Sequence, residues 1–169
     1  MTPDKILELE NLAAEKCENY RKQGFHCSES SLRAVAEALD IPISEDFKRI
    51  SSGFRGGGGG YMERCGIVEV GIMLISYLYG RTDPKVDEGS YSYLVRILHE
   101  RFIKELGSYT CRQLLPWSRA NTEERNCSIV YDKGARILTR LLSEADDLIA
   151  NMTEEERKLL VIWDIKFQK

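Results

Sequence analysis

Five cysteines carry the most distinctive chemistry in this sequence. They are Cys17, Cys27, Cys65, Cys111 and Cys127, in a chain of 169 residues. Thiolates act as nucleophiles in redox exchange and as soft ligands for zinc and iron–sulfur clusters. The intervals between these cysteines do not match a Cys-x-x-Cys pair, a zinc ribbon or a ferredoxin motif. Any site that the cysteines share must therefore be assembled by the fold.

Four of the cysteines are predicted to lie at the beginnings of helices, namely Cys27, Cys65, Cys111 and Cys127. A helix N-terminus has free N–H groups and the positive end of the helix dipole, which lower the pKa of a thiol and stabilise its thiolate. If the four helix starts meet at one end of a bundle, these thiols form one catalytic or metal-binding group. Cys17 falls inside a predicted helix and is expected to be inert.

Five consecutive glycines precede Cys65 in the segment FRGGGGGYMERC. Glycine has the largest backbone entropy cost on folding, so such a run indicates a sharp bend, a close approach or mobility. We expect a mobile loop whose backbone N–H groups come close to sulfur. The predicted cofactor-binding positions are Gly58, Gly59, Gly60 and Gly66. A phosphate loop is disfavoured, because Tyr61, Met62 and Glu63 stand where its Gly-Lys-Ser/Thr ending would be.

The spacing of apolar residues predicts helices and no strands. We therefore expect an all-α multi-helix bundle, with the glycine-rich loop before a central apolar helix, and a single domain over residues 1–169. The predicted helices cover 2–24, 28–40, a short segment from 44, 63–79 with Gly80 as a left-handed stop, 86–106 before Gly107, 111–115 before Pro116, 121–151, and a last segment from 153.

Composition and charge exclude several classes of function. The net charge of −3 gives no general attraction to nucleic acid. The most apolar segment, residues 70–79, is about half the length that spans a bilayer, and the acidic N-terminal segment lacks the pattern of a secretory signal. We therefore expect a cytoplasmic protein that binds neither nucleic acid nor membrane. In a reducing compartment, cysteines are more often metal ligands or redox groups than structural bridges.

The cysteines and their surroundings resemble a known family, the redox-active proteins named for a C…GCAxxG…C…C pattern. The similarity runs from about residue 24 to residue 141. The family's four cysteines correspond in order to Cys27 in FHCSES, Cys65 after the glycine run, Cys111 in GSYTCRQLL and Cys127 in RNCSIVYDKGARIL. Cys17 matches nothing in the pattern. The resemblance implies redox or metal chemistry at these four positions.

Three functions remain open on the sequence alone. In the first, the four cysteines hold an iron–sulfur cluster or zinc, and the protein exchanges electrons with an unidentified redox partner. In the second, the same thiols form a metal-free thiol–disulfide oxidoreductase or redox sensor. In the third, the cysteines are incidental to a helical interaction domain whose acidic amphipathic helices form a homodimer face, with Trp117 and Trp163 as anchors.

Charged residues near Cys65 are weaker candidates. Glu69 lies one turn after Cys65, where it could accept a proton or form a salt bridge. Arg55 and Arg64 flank the glycine run, where they could lower the pKa of nearby thiols, balance the charge of an anionic cluster, or simply be solvated.

Overall fold

The fold is helical throughout the part of the chain that the computed structural model describes, residues 1–86 and 89–160. Within these ranges the chain forms α-helices and a short 3-10 helix but no β-strand, which confirms the predicted all-α class. The helices are α1 (Pro3–Lys22), α2 (Cys27–Ala38), α3 (Glu45–Ile50), the 3-10 helix (Ser51–Phe54), α4 (Gly66–Tyr79), α5 (Gly89–Leu106), α6 (Cys111–Ala120), α7 (Ser128–Ala150) and α8 (Glu154–Leu159).

Hydroxyl side chains cap three of the predicted helix starts. The Thr2 hydroxyl accepts the N–H of Lys5 at 3.4 Å, at the start of α1. The Ser44 hydroxyl accepts the N–H of Phe47 at 3.1 Å, at the start of α3. Thr153 begins α8 in a reciprocal capping box. Each cap satisfies a backbone donor that the helix leaves unpaired, which is why these short motifs predict helix starts well.

The glycines that follow two helices behave differently from each other. Gly107 has a φ of +78°, so it ends α5 in the left-handed conformation that the sequence predicts. Gly80 has a φ of −71° and an extended ψ of 169°, so the prediction of a left-handed stop after α4 was wrong. An alanine Cβ at Gly80 would lie 2.3 Å from the Ser76 carbonyl oxygen, and this close backbone approach is what requires glycine there.

Three predicted boundaries were wrong. α4 begins at Gly66 rather than residue 63, because residues 62–65 pair with another segment. α6 continues to Ala120 through Pro116, whose ring is exposed. α7 begins at Ser128 rather than residue 121, because the Thr122 hydroxyl accepts the N–H of Asn126 and closes a loop. Of the predicted helix over 86–106, residues 87–88 lie outside the described residues.

The core forms where α4 packs against α2, α5 and α7. Val68, Val70, Leu74 and Ile75 of α4 have no exposed surface, so α4 is the central apolar helix that the sequence predicts. Gly71 lets α5 approach α4 closely, since a Cβ there would lie 2.7 Å from Leu98 Cδ2.

An ion-pair network joins three helices beside the core. The Arg140 guanidinium on α7 donates to Glu10 on α1 at 2.7 Å and to Glu105 on α5 at 3.0 Å. Glu10 is only 7% exposed, so its carboxylate depends on this partner for neutralisation.

The remaining sequence predictions concern membrane spanning, the two tryptophan anchors, the homodimer face, the location and the domain organisation. Within the described ranges, no helix is both long enough and apolar enough to cross a bilayer. Trp117 lies on α6 and is partly exposed, and Trp163 lies outside the described residues. The homodimer face, the cytoplasmic location and the single domain over 1–169 stay predictions.

Candidate functional site

Each of the four predicted site cysteines lies at a helix start. Cys27 is the first residue of α2 and Cys111 the first residue of α6. Cys65 and Cys127 are the N-cap residues of α4 and α7. All four are free thiols, and Cys65 and Cys111 are buried. The predicted placement is therefore confirmed for Cys127 as well, although its helix begins later than expected.

The glycine run forms a closed turn of left-handed backbone. Residues 56–60 all have positive φ, between 60° and 96°. Backbone hydrogen bonds close the turn, from the N–H of Gly59 to the Gly53 carbonyl at 2.9 Å and from the N–H of Met62 to the Gly56 carbonyl at 2.9 Å. The segment is thus folded on itself, in place of the open mobile loop that glycine content alone predicts.

A short antiparallel pairing then brings two of the cysteines together. The N–H of Cys111 donates to the Glu63 carbonyl at 2.7 Å, and the N–H of Cys65 donates to the Tyr109 carbonyl at 2.9 Å. Arg64 and Thr110 form the isolated β-bridge between these bonds. The starts of α4 and α6 are fastened to each other by this pairing.

Two glycines permit the backbone to approach the cysteines closely. A Cβ at Gly66 would lie 2.8 Å from Cys27 Sγ, and a Cβ at Gly57 would lie 2.9 Å from the Cβ of Cys111. The backbone N–H groups of Gly56, Gly66, Ser28 and Cys27 itself lie near enough to the Cys27 sulfur to lower its pKa. The expected approach of backbone donors to sulfur is therefore present at Cys27.

The glycines predicted to bind a cofactor fall into two groups. Gly66 lies against Cys27, whereas Gly58, Gly59 and Gly60 direct their N–H groups to the carbonyls of Phe54, Gly53 and Arg55 within the turn. No atom lies within 4 Å of a Cβ built at any of these three. A cofactor-binding role for the four glycines stays a prediction. Sequence reasoning missed Gly56 and Gly57, because a run of identical residues does not indicate which member faces the sulfur.

The expectation of lowered thiol pKa values was wrong. Burial raises the pKa of all four thiols, and it raises the pKa of Cys127 to about 12. The backbone donors around Cys27 lower its pKa but do not outweigh burial. Desolvation disfavours the thiolate more than the helix starts stabilise it, and burial depends on packing that the sequence does not display.

The thiols influence one another electrostatically. After burial, the negative charge of Cys27 is the next cause that raises the pKa of Cys65, Cys111 and Cys127. The same charge also raises the pKa of Cys17, in addition to the larger effect of burial. The fold therefore brings the cysteines into electrostatic range of one another around Cys27. We expect Cys27 to be the first to ionise, because four backbone N–H groups lower its pKa, whereas those of Ile67 and Val68 do so at Cys65.

Tyr131 is a further member of this group that sequence reasoning missed. Burial raises the pKa of its phenol, followed by the charges of Cys27, Cys127 and Cys17. Tyr131 lies four residues after Cys127 on α7, and this i, i+4 spacing is the signal that could have identified it.

Near Cys65, Arg64 Nη1 lies 3.5 Å from Glu69 Oε2, so Glu69 forms the salt bridge considered for it.

A metal centre requires three or more ligands in a suitable arrangement. Among the described residues, no group of three or more His, Cys, Asp and Glu side chains has such an arrangement. The four thiols are chemically the right donors for zinc or an iron–sulfur cluster, but they do not form such a group in the part of the chain that the structure describes. Binding of either group stays a prediction.

The fold and the site define a class, a helical domain with a group of free thiols at helix starts beside a folded glycine turn. A family model described as "Putative redox-active protein (C_GCAxxG_C_C)" matches residues 25–141. This range includes the four site cysteines and the glycine turn. The chain belongs to this family, as the motifs predict. Searches of curated proteins and of solved structures found no match.

Proposed function

We propose that this redox-active protein carries out thiol–disulfide exchange, with Cys27 as the nucleophile. The observation that carries the proposal is the close approach of the Gly66 backbone to the Cys27 sulfur, which lies 2.8 Å from where a Gly66 Cβ would be. The N–H groups of Gly56 and Gly66 lower the pKa of this thiol against the larger effect of burial. The redox description of the family supports the same chemistry.

Cys27 is better suited to this role than the other thiols. Hydrogen bonds from backbone N–H groups stabilise a thiolate, and the thiolate is the form that attacks a disulfide. Burial raises the pKa of Cys65, Cys111 and Cys127, and once Cys27 ionises its negative charge raises the pKa of these three thiols further. Exchange requires one thiolate that attacks the substrate disulfide and a further thiol that later attacks the mixed disulfide.

The proposed reaction transfers two electrons. The Cys27 thiolate attacks one sulfur of a substrate disulfide, an S–S bond to Cys27 forms, and the released substrate thiolate takes a proton from solvent. A second protein thiol loses its proton to solvent and attacks Cys27 Sγ, which releases the other substrate thiol. The substrate disulfide is reduced to two thiols, and the protein dithiol is oxidised to a disulfide. A reducing dithiol restores the starting state.

The test is the oxidation of the reduced protein by bis(2-hydroxyethyl) disulfide, followed by intact mass measurement. We expect a mass loss of about two per bridge, and a rate at least tenfold lower in Cys27→Ser, since the nucleophile is gone. Cys17→Ala is the control, and its rate should match that of the unchanged protein. Retention of all five thiols by the unchanged protein, or an unchanged rate in Cys27→Ser, would contradict the proposal.

An iron–sulfur cluster or zinc held by Cys27, Cys65, Cys111 and Cys127 for electron transfer is the second candidate. The observation in its favour is the placement of four soft ligands at helix starts, three of them within electrostatic range of the fourth, Cys27. Iron, zinc and acid-labile sulfide are measured in protein purified without oxygen, together with the absorption spectrum. Metal at one equivalent that is lost in Cys65→Ala would support this candidate, and a colourless, metal-free protein would contradict it.

A further inference from the structure

A cavity of about 710 Å³ lies between the end of α6 and the loop that leads to Cys127. We call it the arginine cavity. It is lined by Arg119, Ala120, Thr122, Glu123 and Arg125. Arg125 lies two residues before Cys127 in the chain, and the charge of Arg119 lowers the pKa of both Cys111 and Cys127 against the larger effect of burial. The cavity is therefore within electrostatic range of these two thiols. Its volume is within the range of small-molecule sites.

The cavity presents two unpaired guanidinium groups. Arg119 and Arg125 are exposed, and neither forms a salt bridge with any residue that the structure describes. Arg112, on the same helix as Arg119, differs in this respect, since it is paired with Glu63 at 2.6 Å. Glu123 contributes the one carboxylate of the lining, so the lining has a net positive charge.

The loop holds Arg125 in a costly conformation. Its φ is +48°, in the left-handed region that residues other than glycine rarely adopt. The N–H of Arg125 donates to the Thr122 carbonyl at 3.1 Å, and the Thr122 hydroxyl donates to the Ser118 carbonyl at 3.0 Å. Backbone strain of this kind is concentrated at binding sites.

We infer that the arginine cavity binds the carboxylate of a small anionic disulfide, with Arg119 and Arg125 as the binding residues and Glu123 as an opposing charge. Guanidinium groups form strong hydrogen bonds with carboxylates. The inference rests on the proposed thiol–disulfide exchange and names its substrate class. The bound disulfide is the oxidant of that exchange, so the electron balance is unchanged.

The test compares three small disulfides that differ in charge. They are 3,3′-dithiodipropionate, which is a dianion, bis(2-hydroxyethyl) disulfide, which is neutral, and cystamine, which is a dication. The rate at which each oxidises the reduced protein is measured. The rate with each charged disulfide is then divided by the rate with the neutral disulfide. This ratio cancels any change in the reactivity of the thiols themselves.

Removal of the positive charges should shift these ratios. In Arg119→Gln/Arg125→Gln, two positive charges near the substrate are lost. We expect the rate with 3,3′-dithiodipropionate, relative to the neutral disulfide, to fall about fivefold, and the relative rate with cystamine to rise. In Glu123→Gln, both ratios should move in the opposite direction. Arg112→Gln is the matched control on the same helix and should change neither ratio.

The outcomes separate this inference from the function on which it rests. Unchanged ratios in the double variant, with the neutral disulfide still reacting, would overturn the arginine cavity as a binding site and leave thiol–disulfide exchange in place. No reaction of the unchanged protein with any of the three disulfides would overturn the exchange function itself. The expected opposite shifts in the arginine and glutamate variants would support both.

Discussion

Cys27 and Gly66 come from different helices and are in contact. Gly66 begins α4, and its missing side chain leaves room for the Cys27 sulfur and for the Phe54 carbonyl, each 2.8 Å from where a Cβ would lie. The N–H of Gly66 also lowers the pKa of the Cys27 thiol, so the same residue supplies both the space for the sulfur and a backbone dipole beside it.

Gly66→Ala should therefore disturb Cys27 more than any surface change. We expect the free energy of unfolding to fall by about 1–3 kcal/mol, the usual cost of overpacking, and disulfide exchange to slow at least tenfold. Denaturant unfolding and the mass assay measure the two effects. Gly53→Ala is the control, since nothing lies within 4 Å of its Cβ and its φ is not positive. Wild-type exchange in Gly66→Ala would show that the close approach is not required.

For single residues, the sequence predicted where the cysteines lie but not the direction in which their pKa values shift. Capping residues and glycines mark the starts of helices, so the positions of Cys27, Cys65 and Cys111 followed from local signals. The pKa direction did not follow, since it depends on how deeply each thiol is buried by helices far away in the sequence. The same applies to Arg119, whose charge acts on Cys111 and Cys127 only because the fold brings them into range.

Among the elements, the helix starts capped by Thr2, Ser44 and Thr153 were predicted correctly, whereas the starts of α4 and α7 and the end of α6 were not. Pro116 indicated the end of a helix, yet α6 passes through it because only one backbone hydrogen bond is lost and the ring is exposed. The segment from Thr122 has a capping residue, but its hydroxyl binds Asn126 and closes a loop. Such competing local hydrogen bonds are not distinguished by residue type alone.

The network of Arg140 is the clearest test of how the helices are held together. Arg140→Met should lower the free energy of unfolding by about 2 kcal/mol, because the Glu10 carboxylate would be left buried without its partner. Denaturant unfolding at neutral pH measures the change.

Arg136→Met is the matched control, one turn away on α7. Arg136 pairs with the exposed Asp132 at 3.2 Å and donates to the exposed Asn11 on α1 at 2.6 Å, so its loss leaves no buried charge and should cost less than about 1 kcal/mol. In Glu10→Gln/Arg140→Met, part of the lost stability should return, since no buried charge is left. Equal losses in Arg140→Met and Arg136→Met would contradict a special role for the buried carboxylate.

For the whole molecule, the buried thiols link stability to pH. Burial raises the pKa of Cys127 from 9.0 to about 12, and it also raises the pKa of Cys17. Above about pH 9 these thiols ionise in the unfolded chain but stay protonated in the folded protein. The unfolded state then binds fewer protons, so the free energy of unfolding falls as pH rises.

We therefore expect stability to decrease between pH 9 and pH 12, and to be independent of these thiols below pH 9. Denaturant unfolding under reducing conditions at several pH values measures the slope. In Cys17→Ala the free energy of unfolding should decrease less steeply with pH, since one of the thiols with a raised pKa is gone. Because Tyr131 also contributes, some decrease should remain. An identical slope in Cys17→Ala would contradict the assignment to buried thiols.

The glycine turn has a consequence for how this protein can change. Its five residues follow a backbone path of opposite handedness to the helices around it, and only an achiral residue accepts that path without cost. Any L-amino acid placed there would be strained by about 1–2 kcal/mol. Every single substitution within the turn should therefore lower the free energy of unfolding. Sequence changes that keep the thiols in place are expected outside the turn.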